Sequence, residues 1–246
     1  MNNDLSRLRL AAINIDGVLL NDTFSPVIHQ FIVGRGGTYS AELEGRIFSQ
    51  TRAVAGERMA EAVGATMTGP EALAAYFEER AAYVQDHPVH LLDGAVELLH
   101  RLRGLGLSTV CYGGLDKSHF DHFLGAYADL FDGPGYVCTN DFRPGLKEIT
   151  TEIFGLDHDQ VVFIDDVARV AQAARSLNIA FIGHPSTFEH SHQRQLMREA
   201  GVRHLVDSLH AIDEPLLRTI DAEAAAGTSW GGVTAPHPTP GTGATR

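Results

Sequence analysis

A short apolar stretch that ends in polar residues constrains this chain more than any other feature. Residues 10–20 read LAAINIDGVLL, an apolar run in which Asn14 and Asp16 stand one position apart before Gly17. Such a short run is typical of a buried strand in a parallel sheet, and its polar end indicates a site at the carboxyl edge of that sheet. A turn at Asp16 and Gly17 would let the side chains of Asn14 and Asp16 reach one small pocket.

Strand and helix patterns alternate over residues 93–206. This alternation predicts an α/β fold, a doubly wound parallel sheet with helices on both of its faces. The further predicted strands are 107–112, 135–138, 161–164, 179–182 and 202–206, and the predicted helices are 94–103, 117–124, 146–154, 167–177 and 188–200.

The segment between the first strand and this alternating region has only helical patterns. Glycines separate its helices, and the last helix carries an apolar stripe behind a Thr68 and Pro70 start. The final twenty residues are rich in Gly, Thr, Pro and Ala and have no apolar periodicity, which predicts disorder. The predicted helices are 26–33, 41–50, 51–63 and 70–85; the predicted domains are an α/β core at 1–20 and 90–226, a helical cap at 21–89 and a disordered tail at 227–246.

Charge and cysteine content narrow the classes of partner and location. Against 31 acidic residues stand 19 Lys and Arg, and the formal net charge of -12 disfavours nucleic acid and anionic membranes as partners. No stretch approaches the ~20 apolar residues of a membrane-spanning helix. Two cysteines, Cys111 and Cys138, and no signal-like start favour a soluble protein in the reducing cytoplasm.

A second polar strand end lies about 150 residues after the first, where residues 161–166 read VVFIDD. Two adjacent carboxylates, Asp165 and Asp166, repel each other unless a cation or a shared proton relieves the repulsion. Oxygen ligands favour Mg²⁺. The alternative is that one of the two aspartates only caps the following helix.

These two strand ends resemble motifs I and IV of the haloacid dehalogenase (HAD) superfamily, whose motif I reads Asp-x-Asp-Gly after an apolar strand. Asn14 stands where that family carries its nucleophilic aspartate. The resemblance implies a Rossmann-like core, a mobile helical cap over the pocket, and Mg²⁺ held by Asn14, Asp16, Asp165 and Asp166. It also implies a hydrolase-type scaffold, phosphatase-like, for small phosphorylated or anionic metabolites.

The two middle motifs of the family also depart from its pattern. The Ser or Thr of motif II falls at Gly113, or at Tyr112 if the strand is shifted by one residue. Backbone N–H groups at the turn of Gly113 and Gly114 would suit an anion, although a plain tight turn is equally consistent with this sequence. Arg143 stands at the motif III lysine, and Lys147 is either a second candidate for that role or a solvated surface residue.

By this resemblance the catalytic positions are Asn14, Asp16 and Arg143, and the substrate-binding positions are Gly113, Gly114, Arg143 and Lys147. An amide is a poor nucleophile, so Asn14 would not form the aspartyl-phosphate intermediate of the family. The sequence therefore predicts an impaired or diverged phosphohydrolase. Two alternatives stay open: a non-catalytic sensor or interaction protein that binds a phosphorylated metabolite, and an active phosphatase in which Asp16 or a metal-bound water acts directly on phosphorus.

The histidines and the single tryptophan carry weaker signals. His119 and His122 lie three apart on a predicted helix, and His190 and His192 flank Ser191, but no Cys and His set at metal-ligand spacing accompanies them. We expect most histidines to be surface residues. Trp230 is placed to pin the last helix to the body. Nothing in the sequence specifies the substrate or an oligomeric state.

Overall fold

The computed structural model describes residues 4–230, and they form a six-stranded parallel sheet with helices on both faces. The strand order is β3-β2-β1-β4-β5-β6, which places the strand of the Asn14 motif in the middle of the sheet. The doubly wound α/β fold is therefore confirmed. The strands are β1 (Leu10–Asn14), β2 (Ser108–Gly113), β3 (Tyr136–Cys138), β4 (Val161–Asp165), β5 (Ala180–Gly183) and β6 (His204–Leu205).

Side chains of β1 alternate between two hydrophobic cores, one on each face of the sheet. Ala11 and Ile13 belong to the first core, together with Leu98 of a following helix. Leu10 and Ala12 belong to the second core. This alternation follows from the two-residue period of a strand, and it buries β1 completely. The helices after the insertion are α5 (Ala95–Gly104), α6 (Lys117–Leu124), α7 (Ala168–Leu177), α8 (Gln193–Glu199) and α9 (Glu214–Ala226).

Four helices fill the segment between β1 and α5, as the helical spacing predicted. The longest begins with a capping box, in which Thr68 accepts from the Glu71 backbone and Glu71 accepts from the Thr68 backbone. Phe31 and Met59 of this segment share the second core with the sheet residue Phe163. Whether the segment moves as a separate cap stays a prediction. The four helices are α1 (Ser25–Gly34), α2 (Ala41–Ile47), α3 (Arg52–Ala62) and α4 (Gly69–Asp86).

The two chain segments that connect these helices to the core lie side by side. Asn21 N donates to His90 O at 3.1 Å, and Leu92 N donates to Leu19 O at 2.9 Å. The Asn21 side chain accepts from His90 N at 2.8 Å. Both connections therefore cross at one place, which is where a hinge would have to bend.

Some predicted elements differ in extent from the observed ones. The helix predicted at 146–154 is a π-helix at Glu148–Ile153, and the strand predicted at 202–206 is only the two residues of β6. The helix predicted at 188–200 begins late, at Gln193, because the preceding backbone turns to donate from His192 N to Glu44 of α2 at 2.8 Å. Helix α9 was not among the predicted elements.

The start of the predicted tail packs on the body. Trp230 donates from its indole nitrogen to Ile179 O at 2.8 Å and lies against Phe181. The rest of that tail, residues 231–246, lies outside the described residues. Within residues 4–230, no helix is both long and apolar enough to cross a lipid bilayer.

Candidate functional site

A cavity of about 140 Å³ lies at the carboxyl edge of the sheet, between the core and the inserted helices. We call its core side the floor; it includes Gly114 and the polar side chains of Asn14, Asp16, Asp22, Asn140, Arg143 and Asp166. We call the lining residues of segment 24–77 the roof, and they are mostly apolar. The ends of β1, β2 and β4 meet at this edge because the three strands are parallel neighbours.

Asn14 connects two oxygens of the floor. It is buried at the end of β1, and its side-chain nitrogen donates to Asp16 O and to Asp166 Oδ1, both at 2.8 Å. The two hydrogens of the amide are therefore both used inside the protein. A carboxylate at this position would instead face Asp166 as a second anion, so the amide makes the floor stable by itself.

Gly17 allows the acidic pair to approach the first strand. Its φ of 88° is in the left-handed region, and a Cβ at this position would collide with the Asp166 carboxylate. His184 completes this corner, because its Nδ1 atom lies 2.9 Å from Gly17 O. The glycine that directly follows Asp16 thus has a steric reason.

The two adjacent aspartates have different surroundings. Asp165 accepts from Val167 N at 2.7 Å and from the Tyr112 hydroxyl, so both of its oxygens are occupied inside the protein. Asp166 lines the cavity. Burial raises the pKa of both carboxyls, to about 6 for Asp165, and the neighbouring Asp165 and then Asp22 raise the pKa of Asp166 further.

Neither aspartate caps the following helix, because α7 has Val167 at its N-cap without a side-chain cap, and Ala168 N at its start donates to Gln193 instead. Asp165 holds the start of the turn after β4 through Val167 N. Its contact with Tyr112 also shows that Tyr112 points away from the cavity, toward β4. Of the proposed metal ligands, the structure brings together Asn14, the Asp16 carbonyl and Asp166, and it places Asp165 behind them.

The Asn14 side chain decides whether Mg²⁺ fits this set. Neighbouring ligands of an octahedral Mg²⁺ lie about 2.9 Å apart. The position of the Asn14 nitrogen, 2.8 Å from both partner oxygens, matches that spacing, so the amide oxygen would fit the site if the amide were turned over. The residues therefore fit Mg²⁺ in geometry, but they supply a single carboxylate, and the raised pKa of Asp166 makes protonation compete with metal binding.

Asp16 has a partner that sequence reasoning missed. His119 of α6 places its Nε2 atom 2.9 Å from Asp16 Oδ1, and both side chains are only 12% exposed. His119 had been expected on the surface. The available signal was its place on the helix that directly follows β2, whose first turn must face the carboxyl edge. Within residues 4–230, no three His, Cys, Asp or Glu side chains are grouped to hold a metal ion.

The two glycines at the end of β2 are each required by a close neighbour. A Cβ at Gly113 would lie 2.5 Å from Ile15 Cγ2, so the motif II hydroxyl has no room there. A Cβ at Gly114 would collide with the Arg143 guanidinium, which lies over that turn. Gly114 and Arg143 line the cavity, whereas Gly113 lies outside the lining.

Arg143 has no anionic partner among residues 4–230. Its Nε atom is buried without a hydrogen-bond partner. Among the described residues, no carboxylate forms an ion pair with it, although it lies near enough to lower the pKa of Asp165. A guanidinium has five donors in a planar fork, and leaving them unused in a cavity is unfavourable unless a ligand or water fills the place.

Lys147 lies away from this cavity. Its side chain is exposed and pairs at 3.7 Å with Glu152 on the same helical segment. The second cation of the cavity is Arg52 of α3, which the sequence analysis did not single out. Arg52 donates to Gly114 O at 3.0 Å and lies over the Phe77 ring, so it ties the roof to the floor.

No protein-family model and no curated protein matches this chain. Solved structures do match. A haloacid dehalogenase-like protein of unknown function from Agrobacterium tumefaciens is 18% identical, with a TM-score of 0.62, over 88% of this chain and 100% of that one. A β-phosphoglucomutase from Clostridium difficile is 12% identical, with a TM-score of 0.64, over 89% and 99%.

A HAD family hydrolase from Deinococcus radiodurans, whose structure contains phosphate and sodium, is 18% identical, with a TM-score of 0.56, over 89% of this chain and 97% of that one. At such identities the likeness concerns the fold. The resemblance to the haloacid dehalogenase superfamily predicted from the motifs is therefore confirmed as a shared fold, and the chain has a HAD-like architecture.

Proposed function

We propose that this protein binds a small phosphorylated metabolite on the floor of the cavity, and that Asn14 prevents the covalent chemistry for which the HAD fold is built. The observation that carries the binding proposal is the unpaired guanidinium of Arg143, which lines the cavity beside Asn14 and Asp166. A phosphate is the anion that best satisfies a planar fork of donors. The names of the fold neighbours, a phosphoglucomutase and a hydrolase with bound phosphate, support the same class of ligand.

Several floor residues have a role in this proposal. Arg143 binds two phosphate oxygens, and Arg52 approaches from the roof. Asn14, the Asp16 carbonyl and Asp166 would hold Mg²⁺, which would neutralise phosphate charge when bound. The neutral amide makes this metal site weaker than one with a carboxylate nucleophile, so phosphate and Mg²⁺ should bind cooperatively.

The geometry favours binding over turnover at position 14. The Asn14 nitrogen is engaged by two oxygens, and an amide oxygen is a weak nucleophile. The function supported best is therefore a phosphometabolite-binding protein whose covalent hydrolysis is impaired. A sensor or an interaction protein would use the site in this way, and the cytoplasmic location and the absence of nucleic-acid partners stay predictions.

One observation favours a second candidate function. The pair of Asp16 and His119, with 2.9 Å between Asp16 Oδ1 and His119 Nε2, is a carboxylate and imidazole arrangement suited to general acid–base chemistry. Asp16 lines the cavity. In this alternative, the pair removes a proton from a water that attacks phosphorus directly, and Asn14 only binds.

We also propose that the inserted helices act as a lid. The roof closes the cavity from above, and both connections to the core pass through the paired segments at Leu19 to Asn21 and at His90 to Leu92. Movement at these segments would open the cavity to the ligand, and ligand contacts with Arg52 would favour closure.

Calorimetric titration with inorganic phosphate plus Mg²⁺ tests the binding proposal. Wild type should bind, Arg143→Ala should lose at least tenfold in affinity, and Lys147→Ala, the matched control, should retain it. Equal affinities of wild type and Arg143→Ala would refute the assignment. Hydrolysis of an aryl phosphate by wild type that survives Asn14→Ala but not His119→Ala would select the second candidate.

A further inference from the structure

The roof of the cavity differs in chemistry from the floor, and this difference bears on what the ligand carries besides phosphate. The roof presents large apolar side chains from α1, α3 and α4 and from the α2–α3 loop. Such a lining removes apolar surface of a ligand from water and offers little to a polar one. Six of these side chains face one another across the cavity: Phe24, Ile28, Phe48, Met59, Leu73 and Phe77.

Two hydroxyls in this apolar roof have no partner. Tyr76 is 3% exposed, and its hydroxyl is buried without a hydrogen bond; the Ser49 hydroxyl is in the same condition. Buried hydroxyls are nearly always hydrogen-bonded, and no residue in the described part of the chain pairs with these two, so a ligand or a water can supply the partner. Ser49 also has a φ of 54°, which is strained for a residue with a side chain, in the loop that covers the cavity.

The size of the cavity limits the ligand further. A cavity near 150 Å³ accommodates about one benzene ring, and this one measures about 140 Å³ for floor and roof together, so it favours a small ligand. A sugar ring would carry several hydroxyls, each needing a partner against a mostly apolar wall. Tyr76, Ser49 and Gln50 could serve a few polar atoms, whereas the other polar side chains, Asp22, Arg52 and Asn140, already hydrogen-bond within the protein.

We propose that the ligand is a phosphate monoester or phosphonate with a compact, largely apolar body of about one ring, and that one polar atom on this body pairs with Tyr76. The proposal rests on the proposed function for its phosphate group. It assigns the floor to the anion and the roof to the body. Leu73, Phe77 and Tyr76 then determine specificity, while Arg143 determines only that an anion binds.

A series of three probes separates the two parts of the ligand. Methylphosphonate carries the anion alone, phenylphosphonate adds an apolar ring, and glucose 1-phosphate adds a hydroxylated ring. With Mg²⁺ present, phenylphosphonate should bind wild type at least tenfold tighter than methylphosphonate, and glucose 1-phosphate should bind no tighter than methylphosphonate. Measurable binding of methylphosphonate without a gain from the phenyl group, or a preference for glucose 1-phosphate, overturns this inference and leaves the phosphate site intact.

Failure of all three probes to bind would instead refute the proposed function, and this inference with it. Leu73→Gln should weaken phenylphosphonate at least fivefold and leave methylphosphonate unchanged. The control Leu43→Gln alters a half-buried leucine of the same helical segment outside the cavity lining, and it should change neither affinity. Equal effects of the two leucine variants would contradict the assignment of the roof.

The role of Tyr76 has its own readout. Among the 2-, 3- and 4-hydroxyphenylphosphonates, the best isomer should bind wild type at least threefold tighter than phenylphosphonate. Tyr76→Phe should abolish this gain and retain the affinity for phenylphosphonate itself. If no isomer binds tighter than the unsubstituted ring, Tyr76 does not recognise the body of the ligand.

Discussion

The carboxylates at the floor of the cavity and the hydroxyls of its roof are satisfied in opposite ways. At the floor, Asn14 donates to two oxygens and Asp16 is paired with His119, and directly behind it Asp165 has both of its oxygens engaged. In the roof, the hydroxyls of Tyr76 and Ser49 have no partner within residues 4–230. The carboxylates are thus held in place without a ligand, whereas a ligand could supply hydrogen-bond partners for the two roof hydroxyls.

This contrast has a physical basis in the cost of burying polar groups. Three carboxylates at adjacent strand ends would repel one another, and only hydrogen bonds, protons or a cation make them compatible with folding. The roof carries isolated hydroxyls, whose desolvation costs far less than that of a charge. A chain can therefore leave a roof hydroxyl without a partner for the benefit of binding, whereas it has to stabilise its floor.

Asn14→Asp should produce the largest effect, because it removes the amide that stabilises the floor. The variant gains an oxygen nucleophile beside Asp16, and we expect Mg²⁺-dependent hydrolysis of an aryl phosphate to rise about 10²-fold over wild type. The gain stays partial, since Gly113 has no hydroxyl to donate. Steady-state assays measure the rate of hydrolysis, with Asn14→Ala as the inactive control. Adding Asp16→Asn to the Asn14→Asp variant should abolish the gained activity.

Stability measurements test the contrast without any ligand. Asn14→Ala leaves buried Asp166 without its donor and should lower the free energy of unfolding by about 2 kcal/mol. Tyr76→Phe removes a hydroxyl that has no partner and should raise it by up to about 1 kcal/mol. Urea denaturation gives both values. If Tyr76→Phe lowered the free energy of unfolding as much as Asn14→Ala, the Tyr76 hydroxyl would have a hydrogen-bond partner in the folded protein.

The two adjacent aspartates should separate in Mg²⁺ binding. Asp166→Asn should weaken Mg²⁺ about tenfold or more, because Asp166 supplies the carboxylate of the proposed ligand set of Asn14, the Asp16 carbonyl and Asp166. Asp165→Asn should leave the affinity within about twofold and instead lower the melting temperature, through the lost contacts with Tyr112 and Val167. Calorimetry with Mg²⁺ and inorganic phosphate measures the Mg²⁺ affinities of both variants. Equal losses in affinity would place Asp165 in the metal site.

Hydrogen exchange in α3 and α4 tests whether the roof closes over the ligand as a lid. Adding phenylphosphonate with Mg²⁺ should slow exchange in these helices several-fold, because closure orders them. Amides of β1 and β4 should change little. Binding that protects the core but leaves α3 and α4 unchanged would show a roof that does not move.

The smallest effect concerns the outer contact between the roof and the core. His29 of α1 stacks on His190 with 4.3 Å between ring centroids, and Phe188, Tyr39 and Glu189 surround the pair. Burial, then the proximity of His190, lowers the pKa of His29, although Glu189 opposes this.

Neutral His29 is thus favoured in the closed form. Its contribution is present above the ordinary histidine pKa of about 6.5 and is lost as the pH falls through that value and the lower native one. We expect exchange in α1, corrected for the intrinsic rate, to be modestly faster at pH 5.5 than at pH 7.5. His29→Phe keeps the ring contact and should remove this difference; an unchanged pH dependence in that variant would exclude His29 as its source.

The sequence by itself determined the α/β architecture, the central strand and the helical character of the insertion. These features follow from local periodicity, from glycine positions and from apolar strand ends, all of which act over a few residues. It also placed Asn14, Asp16 and Asp166 at one edge, since parallel neighbours end together.

Only the tertiary structure decided which of these residues face the cavity. Asp165 and Asp166 are identical residues next to each other in the sequence. Their roles diverge because the hydroxyl of Tyr112, on another strand, donates a hydrogen bond to Asp165. His119 and Arg52 come from helices whose orientation no local pattern specifies. The unpaired state of Arg143 and Tyr76 is likewise a property of everything that surrounds them, because a missing partner can be recognised only when all the possible partners have been placed.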